Sequence, residues 1–124
     1  MRFMMMVKSQ EGLGPPPKEL MDAMDKLVNQ ATKSGVMISG GGLAPTAMSK
    51  RVCLSGGRIT VVDGPFTEVK EVIGGYAVME FESHAEALQS AVEFMELHKK
   101  YWPGWEGVSE IRQIFGPEDM PPQS

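Results

Sequence analysis

One cysteine, Cys53, is present in 124 residues, so no disulfide can form within the chain and a reducing compartment is the natural expectation. An excess of cations is missing too. Twelve Lys and Arg against 16 Asp and Glu leave a formal net charge of -4, which offers no field to a phosphate backbone and argues against nucleic acid as a partner. Long apolar runs are lacking. Phe3 to Val7, bounded by Arg2 and Lys8, is too short for a signal-peptide core or a bilayer span, so neither a membrane nor export is expected and the cytoplasm is the default. The lone cysteine and the two distant histidines, His84 and His98, form no chelating pair, and no metal or other cofactor is expected. Gly40-Gly41-Gly42 lacks the Lys-Ser/Thr and the following helix of a phosphate loop, and no nucleophile elbow occurs.

What is present fits one average domain with a core of its own: 42% hydrophobic and 23% charged residues. Phe3 to Val7 reads as a central strand buried on both faces. Leu20, Met21, Met24, Leu27, Val28 and Ala31 fall on one stripe of a 3.6-residue helix, entered after Pro15-Pro16-Pro17 and stopped by Gly35. A strand from Val36 to Ile38 runs on into the glycine triplet. Lys50 to Ser55 and Arg58 to Val62 flank Gly56-Gly57, which predicts a tight hairpin pairing Leu54 with Ile59 and Val52 with Val61.

Turn chemistry at Asp63-Gly64-Pro65-Phe66 precedes a strand from Tyr76 to Phe81. Ser83 with Glu86 predicts a capping box opening a second helix, whose stripe would be Ala85, Leu88, Ala91 or Val92, and Met95. Val108 to Phe115 reads as the last strand. The eleven methionines suit gap-filling in a core, or a plastic ligand pocket.

The order is β-α-β-(ββ)-β-α-β. It predicts an α+β fold, a ferredoxin-like antiparallel sheet with two helices on one face and an inserted β-hairpin. One helical layer leaves the other sheet face bare, so a homodimer is expected to cover it.

Asp63-Gly64-Pro65-Phe66, followed by Thr67 to Glu71 and then Gly74-Gly75-Tyr76, resembles the signature of the DGPF family within the YCII-related group. Segments 34–45 and 98–107 are similar to parts of the same family. The resemblance implies a dimeric α+β barrel and a single domain over residues 1–116, with 117–124 as a Pro-rich C-terminal tail. Some YCII relatives are regarded as lyase- or dehydrochlorinase-type enzymes using a His on the first helix with a nearby Asp; the first helix here contains no His. DGPF proteins are also associated with extracytoplasmic-function sigma factors, which implies a signalling connection.

Two functional readings stay open. In the first, a small-molecule pocket carries weak acid/base chemistry of lyase or isomerase type. Asp63 and His98 are its candidate catalytic residues, and Tyr76, Phe66 and Lys70 its candidate substrate-binding residues. Asp63 shares a strand face with positions 59 and 61, so its carboxylate could reach the enclosed side of the sheet; the competing role is a cap on the turn. His98 could close a pocket with Tyr101, Trp102 and Trp105, or serve as a charge partner at a helix C-terminus. In the second reading the chain is a non-catalytic, ligand-sensing or regulatory module.

Overall fold

The computed structural model describes residues 1–66 and 69–119. Thr67 and Glu68 of the signature, and residues 120–124 of the expected tail, lie outside the described residues. The elements in chain order are β1 (Arg2–Ser9), α1 (Lys18–Lys33), β2 (Met37–Gly42), a 3-10 turn (Thr46–Met48), β3 (Lys50–Ser55), β4 (Arg58–Asp63), β5 (Val72–Glu80), α2 (His84–Tyr101) and β6 (Gly107–Ile114), with a second 3-10 turn at Pro117–Asp119.

Four strands form one antiparallel sheet in the order β2-β5-β1-β6, and β3 and β4 form a separate two-stranded sheet. This is the ferredoxin-like arrangement with a hairpin inserted between its second and third strands. β1 sits at the centre because its apolar run can be covered on both sides by neighbours that continue the alternation. Among the described residues no helix is long and apolar enough to cross a membrane.

Strand alternation decides what each face of the sheet carries. Phe3 and Met5 of β1 point to the helices and build the core with Ala87 and Ala91 of α2, joined by Ala77, Met79, Phe81 and Ile111. Leu20 of α1 is fully buried. Met4 and Met6 therefore point the other way, beside Val78 and Tyr76 of β5 and opposite Arg112 and Glu110 of β6. Lys8 bonds Glu110 at 2.7 Å and Arg2 approaches Glu80 at 3.7 Å along the same face. The two helices among the described residues both lie on the opposite side. Met4 and Met6 are consequently only half-buried.

Both helix ends follow the local chemistry. Gly35, at φ +82°, ends α1, since a left-handed residue there carries no Cβ penalty. Ser83 caps α2 by accepting the Glu86 amide at 3.2 Å, while the Glu86 carboxylate reaches back to the amide of Glu82 rather than of Ser83. The inward stripe of α2 differs from the expected one. Ala87, Ala91 and His98 are buried, whereas Leu88 and Val92 are exposed. Alanines let the helix axis approach the sheet closely, and the larger side chains then flank the contact instead of filling it.

The hairpin has the expected register: Leu54 faces Ile59, Val52 faces Val61 and Lys50 faces Asp63, around Gly56 and Gly57 with φ of +58° and +75°. Positive φ at both loop positions matches the strand twist that a two-residue turn requires. Val52, Leu54, Ile59 and Val61 share one face and are 63% to 73% exposed, so among the described residues nothing packs against this face.

Candidate functional site

The turn that carries the signature is built by contacts far apart in sequence. After β1, the carboxylate of Glu11 accepts both the backbone N–H and the hydroxyl of Thr46, each at 2.5 Å. Thr46 Oγ1 in turn accepts the Phe66 amide at 3.4 Å. The Phe66 ring is buried, with the Arg51 guanidinium 3.7 Å above its centroid, a cation–π contact. Gly64 donates to the Ser49 carbonyl at 2.9 Å. A Cβ on Gly64 would overlap the Thr46 carbonyl oxygen and lie 2.6 Å from its carbon. Asp63 closes the hairpin base by pairing with Lys50 at 2.5 Å. Asp63-Gly64-Pro65-Phe66 is thus a latch that seats the hairpin against the 3-10 turn and the loop after β1.

The two hydrogen bonds from Thr46, side chain first and backbone second, hold the Glu11 carboxyl below its ordinary pKa. A carboxylate depressed in the folded state stabilises it above the unfolded value and loses that contribution as pH falls through the folded one. Glu11→Gln is expected to lower stability near neutrality and to converge with the wild type below the usual carboxylate range. Denaturant melts at a series of pH values check this.

The candidate residues fall into separate surroundings. Asp63 lies at the end of β4, outside the four-stranded sheet, with its carboxylate 73% exposed beside Lys50. Phe66 is buried within the latch, and Lys70 is exposed on the segment leading into β5. Tyr76 stands on the helix-free face of β5, opposite Met6 on one side and Gly41 on the other. His98 is buried at the last turn of α2, on the helical side. Its Nδ1 lies 3.0 Å from the Phe94 carbonyl, which can only accept, so Nδ1 is the donor in this contact. Phe94 and Trp105 flank that ring at 4.9 and 4.5 Å between centroids, and Trp102 stacks on Trp105.

No hydrogen bond, ion pair or ring contact among the described residues joins Asp63 to His98. One concavity, of 470 Å³, follows the polar side of α1 alone, and another of 300 Å³ lies between α2 and β6. Neither touches Asp63, His98 or Tyr76. Glu11, Thr46 and Arg51 escape a reading of the sequence because no local pattern ties residues 35 positions apart, while the turn motif they support is conspicuous.

Fold and latch together define a class: a ferredoxin-like α+β domain with a hairpin inserted ahead of a Gly-Pro turn. The chain belongs to the YCII-related domain family, whose model matches residues 1–96. The match ends within α2, so β6 lies beyond it. No curated protein matches the chain.

Proposed function

We propose that the chain acts as a homodimer that binds a small molecule between two helix-free sheet faces. The observation that carries this reading is the one-sided helical layer. Met4, Met6, Val78 and Tyr76 form an apolar strip bordered by the Lys8–Glu110 and Arg2–Glu80 pairs. A strip of that kind, apolar at its centre and charged at its rim, matches the anatomy of a protein interface.

Size sets the terms. Four strands of six to nine residues present about 500 Å² at ordinary strand spacing, so two copies cover about 1,000 Å², short of a standard interface of about 1,600 Å². The bare face of each hairpin adds about 200 Å² on the same spacing. The hairpins therefore belong to the contact, and their reach brings the latch to the rim of the shared cavity. There Tyr76 lines the wall, with its ring offering apolar surface and its hydroxyl a polar end. Asp63 and Lys70 meet the polar end of the ligand, and Phe66 fixes the latch beneath them. Residues 1–116 act as one unit in this reading, with 117–124 as an appended tail.

Binding without chemistry fits best, because the His98 ring is committed to Phe94 and Trp105. A catalytic reading, weak acid/base chemistry of lyase or isomerase type with Asp63 as base, draws on one observation, the open access to that carboxylate. Met6→Lys places a charge in the middle of the strip. It is expected to halve the number of chains per particle in sedimentation while the fold persists. Small aromatic and enol compounds should raise the melting temperature of the wild type but not of the variant. A Met6→Lys protein that associates and binds as the wild type does contradicts the reading.

A further inference from the structure

β6 is an edge strand, so among the described residues one side of its backbone has no partner in the sheet. Such edges are ordinarily blunted by charged side chains, prolines or bulges. β6 pairs with β1 in unbroken register, has no proline from Val108 to Ile114, and carries two charges there of opposite sign, Glu110 and Arg112. Its sequence there, Val-Ser-Glu-Ile-Arg-Gln-Ile, is complementary to itself when reversed about Ile111. Val108 then meets Ile114, Ser109 meets Gln113, and Glu110 meets Arg112 of the partner subunit. Each pair couples like with like in polarity and opposite in charge, as facing residues of an antiparallel ladder should.

The flanking surface fits the same axis. Ile111 points to the helical side, where it floors the 300 Å³ groove lined by Leu88, Ala91, Val92 and Met95 of α2. Leu88 and Val92 stand 59% and 43% exposed, although the hydrophobic periodicity of α2 marks them for burial. The opposite edge, β2, offers no such match: it reads Met-Ile-Ser-Gly-Gly-Gly and its register shifts between Met37 and Ser39.

We propose that β6 is a self-pairing edge. Two copies join β6 to β6 antiparallel about a two-fold axis at Ile111, so that two four-stranded sheets become one and the α2–β6 grooves close on each other. An axis of this kind presents the same patch from both copies, which a palindromic charge pattern satisfies twice over. The contact is separate from the helix-free face and goes beyond the binding role proposed above. With both contacts formed, the particle has four chains.

Charge exchange tests it. Arg112→Glu leaves only acid facing acid across the axis, and Glu110→Lys leaves only base facing base. Each variant alone is expected to lose the contact, and an equimolar mixture to regain it, because acid then meets base at both crossings. Glu110 also bonds Lys8, so folding of Glu110→Lys is checked by circular dichroism. Leu88→Glu, at an exposed groove position, provides a variant that breaks no internal bond. In sedimentation equilibrium the wild type should contain four chains, and Arg112→Glu and Leu88→Glu two. A two-chain wild type that falls to one chain with Leu88→Glu, which lies on the helical side, keeps the edge contact and rejects the helix-free-face dimer. Wild-type stoichiometry in Arg112→Glu and Leu88→Glu, no recovery on mixing folded variants, or a monomeric wild type overturns the edge contact.

Discussion

Gly64→Ala is expected to destabilise the fold by about 3 kcal/mol, near the upper end for overpacking a closed site. The methyl group would enter the space of the Thr46 carbonyl, and backbone cannot rotate out of the way as a side chain can. Relief requires moving the 3-10 turn, which Glu11 holds through two hydrogen bonds, or lifting Gly64 from Ser49. Either movement unseats Phe66 from Thr46 and from the Arg51 guanidinium. Gly74→Ala makes a suitable control, because its Cβ would meet nothing nearer than the Val7 carbonyl at 4.0 Å. Urea unfolding of the two variants should separate them clearly. Equal stabilities would show that the latch is looser than its contacts indicate.

Phe3→Ala is expected to cost about 4 kcal/mol, the usual range for deleting a fully buried aromatic ring. Phe3 is inaccessible to solvent and sits on β1, one of the two inner strands of the sheet, between Met79 of β5 and Gln113 of β6. Its ring meets His84 edge-on at 5.0 Å and Phe81 at 6.0 Å, so the start of α2 and the end of β5 lean on one side chain. Ala87 and Ala91 cannot expand into the void. A loss of this size is a large part of the roughly 5–15 kcal/mol that holds an ordinary domain together. Equilibrium denaturation checks it, and a cost under about 1 kcal/mol would mean the core relaxes around the cavity far more than such cores do.

Much of this fold is legible in the residues because local and tertiary signals agree there. The Gly56-Gly57 turn sets the hairpin register by itself, Ser83 and Glu86 announce α2, and the apolar run at Phe3–Val7 belongs to the central strand. Disagreement appears where size matters more than hydrophobicity. Leu88 and Val92 outrank Ala87 and Ala91 on any apolar scale, yet close packing on the sheet selects the alanines. β5 begins at Val72 rather than Tyr76 because Gly75, a turn residue in isolation, is held extended between Val7 of β1 and Gly42 of β2, while Gly74 sits at the register shift against β1 and its carbonyl accepts the Leu43 amide.

The candidate site is less legible still. The turn motif stands out, but the reason for it, a carboxylate at Glu11 holding Thr46 beneath Gly64, is set by folding and not by spacing. Asp63 and His98 illustrate the same limit. Both are plausible acid/base groups by type, and both lie near loops, but one ends an exposed hairpin and the other is packed among aromatic rings. Residue type and sequence separation carry no information about which side of the sheet a group reaches.

The methionines supply the most direct probe of the helix-free face. With 13C-labelled methyl groups and a soluble paramagnetic agent, Met48, at 77% exposure, reports full contact with solvent, and Met5, in the core, reports none. At protein concentrations where particles are fully associated, Met4 and Met6 should be as protected as Met5, and Met6→Lys should strip that protection from Met4. Relaxation of Met4 and Met6 alongside Met48 at every concentration would contradict a second copy on that face.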